Sequence, residues 1–106
     1  MKIMLCCAAG MSTSLLVTKM QKAAQEKGLD AEIWANPVSE AKDHLDVDII
    51  LLGPQIRYAE KSIKKLVDGK IPVQNIDMRS YGKMDGQKVL EDALAFMDSF
   101  SEYSQM

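Results

Sequence analysis

The stretch Lys2-Ile-Met-Leu-Cys-Cys7-Ala-Ala-Gly-Met-Ser-Thr-Ser14-Leu-Leu decides the fold. Its apolar half, Ile3 to Cys7, is nearly continuous. A run of that kind suits a strand covered on both faces, as in a parallel sheet. A small-residue loop, Ala8-Ala-Gly-Met-Ser-Thr13, follows, and a helical pattern begins at once. Strand, tight loop and helix in that order are the first half of a βαβ unit. The order also places the Cys7 thiol at the mouth of the loop, at the positive end of a helix. Such a position stabilises a thiolate and suits a nucleophile that holds a phosphoryl group.

The rest of the chain repeats the alternation. Further strands are predicted over Ala31 to Ala35, Asp48 to Leu52 and Ile71 to Ile76. Helices are predicted over Ser12 to Lys27, Pro37 to Leu45 (with Ser39 as a possible cap), Arg57 to Val67 and about Gly86 to Phe100. Gly28 suits the C-terminal end of the first helix, and Asp85 suits the start of the last. Right-handed crossovers prune the topologies. The expectation is one α/β domain over residues 1–106 with a core over about 2–100 and a polar C-terminal tail. Its four-stranded parallel sheet has order 2-1-3-4 and helices on both faces. The switch point then lies beside the end of strand 1, where ligands bind in such sheets.

Composition narrows the chemistry. The 106 residues are 47% hydrophobic and carry a net charge of −2. That balance offers no footprint for nucleic acid. No apolar run reaches the roughly 20 residues that span a bilayer, and the N-terminal stretch is a poor signal peptide. A cytoplasmic protein without direct membrane insertion is expected. The two cysteines, Cys6 and Cys7, are adjacent, and strand neighbours point to opposite faces. A disulfide or a metal site is not expected, and no cofactor is called for.

The loop is not a nucleotide-binding one, because no Gly-Lys-Ser/Thr follows. It does match the frame of the low-molecular-weight tyrosine phosphatases, in which five residues separate the cysteine from Arg-Ser/Thr. Thr13 stands where that frame has arginine. Arginine clamps the phosphoryl group bidentately as it leaves sulfur. Without it a thiophosphate can be made and held, but hydrolysis is slow. A carrier is therefore favoured over a hydrolase. The phosphatase alternative would use Cys7 as nucleophile and Asp77 as general acid.

Cys7-Ala-Ala-Gly-Met-Ser-Thr-Ser14 resembles the phosphorylation loop of the lactose/cellobiose-type IIB components of the bacterial sugar phosphotransferase system. Ile50-Leu-Leu-Gly-Pro-Gln-Ile56, Ile76-Asp77 and Tyr81-Gly-Lys-Met-Asp-Gly86 agree with the same family. The Met-Ser-Thr-Ser form is more similar to the cellobiose/chitobiose branch. The resemblance implies a fold like that of the low-molecular-weight phosphatases. It implies a relay in which Cys7 takes a phosphoryl group from phosphohistidine of a IIA protein. The group then passes to a sugar presented by a membrane IIC permease, with a β-linked disaccharide such as cellobiose or chitobiose expected.

The phosphate cradle is assigned to Ala8, Ala9, Gly10, Met11, Ser12, Thr13 and Ser14. Any of the Ser12, Thr13 or Ser14 hydroxyls could add a donor, and Ser12 could instead cap the helix. Gln55 and Asp77 follow strands 3 and 4, on the same sheet edge as Cys7. Gln55 could contact the loop or the partner, or simply sit in a turn, and Asp77 is read mainly as a helix-capping or loop-ordering residue. Arg57, Arg79, Lys83 and Tyr58 or Tyr81 are candidates for a docking rim. Met11 is placed at the loop tip, Trp34 at a strand edge and His44 at a solvated helix end.

Overall fold

The computed structural model describes residues 1–8 and 13–104, with side chains up to residue 100. Strands β1 (Lys2–Cys7), β2 (Glu32–Pro37), β3 (Ile49–Leu52) and β4 (Val73–Asn75) form one sheet. All three pairings are parallel, and the order is β2-β1-β3-β4. The sheet order and the helix-covered faces are those expected from the apolar runs.

Alternation along the strands divides the core in two. Ile3, Leu5, Ile49 and Leu51 face helix α1 (Ser14–Glu26) and helix α4 (Gly86–Ser104). Met4, Cys6, Ile50 and Leu52 face helix α2 (Glu60–Val67) and two 3₁₀ segments. The central strand is buried on both faces, which is why its sequence shows no polar alternation. Each of its large side chains contributes roughly 1.5–3 kcal/mol through loss of apolar surface to water.

The boundaries differ from the sequence expectation where local signals are weak. Helix α1 begins at Ser14 rather than Ser12, with Thr13 in the capping position. Ser12 lies outside the described residues. Strand β2 runs on to Pro37 because it stays paired with β1 as far as Cys7. The stretch predicted as a helix from Pro37 is a 3₁₀ segment, Val38–Asp43, and Ser39 does not cap it. The helix predicted from Arg57 is split. A 3₁₀ segment, Pro54–Ala59, bends at Ile56, and α2 starts at Glu60. Strand β4 is shorter than predicted, since Pro72 has no N–H to give. A short helix α3, Met78–Gly82, was not legible in the sequence. Five residues carry too little periodicity to register.

The expected stops do hold. Gly28 takes a positive φ of 69°, and Leu29 N–H donates back to Ala24 O at 2.9 Å. Asp85 caps α4 by accepting from Lys88 N–H at 3.1 Å.

Candidate functional site

Cys7 ends β1, the strand flanked by β2 and β3. The connection from β1 to β2 runs through α1 on one face. The connection from β2 to β3 runs through Val38–Asp43 on the other. Chains leaving on opposite faces open a crevice at the strand ends. Cys7 lies there, on the same face as Ile3 and Leu5, beside the first turn of α1.

Two groups hold the sulfur. Thr13 Oγ1 donates to Cys7 Sγ at 3.6 Å, and Cys7 Sγ–H donates to Asn36 O at 3.7 Å. Thr13 is only 4% exposed, and its hydroxyl makes no cap to its own helix. The hydroxyl in the capping position is thus diverted from the helix to the sulfur. Val17 N–H makes the first turn's bond to Thr13 O at 3.0 Å. The amides ahead of it have no carbonyl within their own helix to bond. They give the start of α1 partial positive charge.

The approach to the sulfur is narrower than a relay thiol suggested from sequence. Cys7 is 9% exposed, at the floor of a cleft of about 480 Å³. Thr13, Ser14, Thr18 and Gln21 line one wall from α1, and Ala35 to Pro37 line the other from β2. Gln21 Nε2 donates to Ile33 O at 2.8 Å and ties the walls together. Apart from Cys7, no acidic or basic side chain lines this cleft among the described residues. Ala8 and Ser14 are at the cleft, whereas Ala9, Gly10, Met11 and Ser12 lie outside the described residues.

Cys6 behaves as a core residue. It is fully buried against Met4, Ile50 and Leu52. Burial, and then the neighbouring Cys7 sulfur, push its thiol up to about 11. Both cysteines are free thiols. Among the described residues, no three His, Cys, Asp or Glu side chains converge on a metal position. No helix there is long and apolar enough to cross a membrane.

Gln55 and Asp77 do not join Cys7 in the cleft. Gln55 is exposed and folds back, its Oε1 3.3 Å from where a Cβ on Gly53 would stand. Asp77 caps α3. Its Oδ2 accepts from Ser80 N–H at 2.9 Å and from Ser80 Oγ at 3.0 Å. Those two bonds, the backbone one foremost, hold its carboxyl below the usual carboxylate range. A general acid must be protonated, so the cap works against the phosphatase role considered for Asp77. The cap also has a pH signature. A lowered carboxyl contributes stability above the unfolded value of about 3.9. That contribution is lost as pH falls through the lower folded value. Asp77→Ala is therefore expected to lower the thermal midpoint at neutral pH. The gap to the wild type should close on strong acidification, as followed by circular dichroism.

Among the docking-rim candidates, Arg57, Arg79 and Lys83 are exposed, and Tyr58 is 79% exposed. Tyr81 is not a rim residue. It is 8% exposed and packs in the core with Ile76 and Leu90. Sequence reasoning missed Met78, which stands 65% exposed at the start of α3. It also missed the Asn36 carbonyl beside the sulfur, because no local pattern links two residues 29 positions apart.

Comparison with known proteins agrees with this geometry. Residues 2–92 match the family described as PTS system, lactose/cellobiose-specific IIB subunit. The oligo-beta-mannoside-specific EIIB component of Bacillus subtilis is 47% identical over 98 residues, covering 91% of this chain and 95% of that protein. The cellobiose-specific EIIB component of Lactococcus lactis subsp. lactis is 43% identical over 103 residues, with the same two coverages. The solution structure of the cellobiose-specific IIB component from Borrelia burgdorferi superposes with a TM-score of 0.77 at 38% identity, covering 93% of each chain. The lactose-specific IIB domain from Streptococcus pneumoniae shares the fold, with a TM-score of 0.81 at 18% identity over 91% of this chain and 96% of that one. A thiol at the end of the central strand, a hydroxyl turned onto it and these likenesses lead to one assignment: the chain belongs to the lactose/cellobiose-specific IIB family of the sugar phosphotransferase system and is a phosphotransferase.

Proposed function

We propose that Cys7 is the phosphocarrier. It takes a phosphoryl group from a phosphohistidine on a IIA protein and passes it to a sugar held by a membrane IIC permease. A β-linked disaccharide such as cellobiose or chitobiose is the expected acceptor. The observation that carries this reading is the Thr13 hydroxyl donating to Cys7 Sγ at the start of α1.

In the first step the sulfur attacks phosphorus, the N–P bond breaks and the S–P bond forms. Over the step as a whole, the thiol proton leaves sulfur and the histidine nitrogen that loses phosphorus gains one. In the second step a sugar hydroxyl attacks the same phosphorus, the O–P bond forms and the S–P bond breaks. The hydroxyl proton returns to sulfur in the overall balance. Neither step needs the protein to do covalent chemistry beyond the sulfur itself. Positioning and charge stabilisation carry the catalysis. A phosphate brings about −1.5 to −2 charges. The backbone from Ala8 to Ser14, together with the Thr13 hydroxyl, is assigned to meet it. Gln55 and the exposed Arg57, Tyr58, Arg79 and Lys83 are assigned to the surface that receives the partners, and Asp77 caps helix α3, which bears Arg79.

The test is the mass of the chain after incubation with a phosphorylated IIA protein. One added phosphoryl group, mapped to Cys7, is expected. A phosphoryl group on another residue, or none, would overturn the assignment. Adding IIC-containing vesicles and a panel of β-linked sugars then identifies the acceptor.

Thr13 has its own prediction. Thr13→Val keeps the shape and removes the donor. A hydrogen bond to a charged group contributes about 1.5–3 kcal/mol, so acceptance of phosphoryl should slow at least about tenfold. Thr13→Ser keeps the hydroxyl and should retain most of the rate in the same assay.

A further inference from the structure

The inference concerns Asn36 and rests on the relay role assigned to Cys7. Asn36 lies in β2, directly opposite Cys6, with Pro37 opposite Cys7. Its backbone carbonyl accepts the Cys7 S–H at 3.7 Å. Its side chain lies with those of Trp34 and His44, where the Val38–Asp43 segment ends. With its amide oxygen turned to the two ring N–H groups, Asn36 accepts from Trp34 Nε1 at 3.0 Å and from His44 Nε2 at 3.2 Å. Its nitrogen donates to Ala35 O at 3.1 Å. The reverse orientation would set oxygen against a carbonyl and nitrogen against both N–H groups, with one long bond from Nδ2 to Met4 Sδ at 3.6 Å in return. The Trp34 and His44 rings meet edge-on, 6.3 Å between centroids.

We propose that Asn36 is a positioning residue for phosphoryl transfer. Trp34 and His44 anchor its side chain, and the anchored backbone sets the direction of the Cys7 thiol. The sulfur then has a fixed acceptor on one side and the Thr13 hydroxyl on the other. This holds the Cys7 side chain in one rotamer, with its remaining lone pair free for phosphorus. The cleft is lined by Asn36 on the β2 side, so a shift of this strand end moves the wall as well as the carbonyl. In-line transfer is sensitive to such displacement. A half-buried Asn satisfied by two ring N–H groups at a sheet edge is a costly way merely to fill space.

The experiment uses the full chain and a phosphorylated IIA protein as donor. Single-turnover rates are measured across donor concentrations. Asn36→Ala removes the acceptor for both N–H groups. It is expected to lower the maximal rate about tenfold, with the donor concentration for half-saturation unchanged. Should Asn36→Ala fail to fold, Trp34→Phe removes one N–H and keeps an aromatic ring, and it should give a smaller loss of the same kind. An undiminished maximal rate in Asn36→Ala, or in Trp34→Phe where the alanine variant is not folded, overturns the positioning role. A wild-type chain that gains no phosphoryl group on Cys7 sinks the relay itself, a result separate from any ranking of these variants.

Discussion

Cys7→Ser is expected to end phosphoryl acceptance while leaving the fold intact. The substitution changes one atom at a residue that is 9% exposed, so the packing around β1 barely alters. The chemistry alters completely. A thiol is a far better nucleophile near neutral pH than an alcohol. An alcohol does not ionise in that range, and serine nucleophiles depend on an adjacent base. The cleft supplies none. Its described lining contains no Asp, Glu, His, Lys or Arg. Thr13 and the start of α1 can stabilise an anion, but they cannot remove a proton. A loss on the order of 10³ or more in the acceptance rate follows. Transfer to sugar should fail with it. Rapid-quench measurement with phosphorylated IIA protein reads the first loss, and vesicle uptake reads the second. Cys6→Ala is the matched control and should remain a phosphoryl acceptor, since Cys6 is sealed in the opposite half of the core. A serine variant that transfers phosphate at close to the wild-type rate would show that the nucleophile lies elsewhere.

Gly86→Ala is the substitution with the largest expected cost to stability for the smallest chemical change. Gly86 is the first residue of α4, where that helix crosses α1. A Cβ there would stand 2.5 Å from the Lys19 carbonyl carbon, 2.6 Å from Met20 N and 2.7 Å from Lys19 Cβ. The first two are backbone atoms in the middle of a helix and cannot rotate aside. The two helices must separate or slide, at a cost of about 3 kcal/mol. For a domain of this size the thermal midpoint should fall by roughly 10 °C or more. The effect should also reach the site. Helix α1 begins at Ser14, little more than a turn from that contact, and Thr13 in its capping position holds the sulfur. Phosphoryl acceptance is therefore expected to slow as well. Gly82→Ala provides the contrast. Nothing lies within 4 Å of its Cβ position, so a change of little consequence is expected. Scanning calorimetry on both variants decides the matter. A Gly86→Ala midpoint matching that of Gly82→Ala would show that the helices can give way at no cost.

Features of this chain that depend on runs of neighbours were legible before any coordinates. The continuous apolar stretch ending at Cys7, and Ile49 to Leu52 after it, report strands buried on both faces. Their alternation with helical patterns points to a parallel sheet, and crossover handedness narrows the topologies among which the order β2-β1-β3-β4 was expected and is found. The thiol's place at the end of the central strand then follows. Capping was partly legible too, because Asp77 and Asp85 act on amides only three residues away.

Local composition and spacing thus carry the architecture and the place of the Cys7 thiol at the end of β1. Packing alone settles which hydroxyl reaches the sulfur, that Tyr81 turns into the core, that the Asn36 carbonyl reaches the thiol and that Gly86 must be bare. Each of these is a meeting of side chains or backbones set by packing. Asn36 and Cys7 meet across a strand pair, and Gly86 meets Lys19 across a helix crossing. Periodicity tells a helix which side faces inward, but it carries no record of which distant residue waits there.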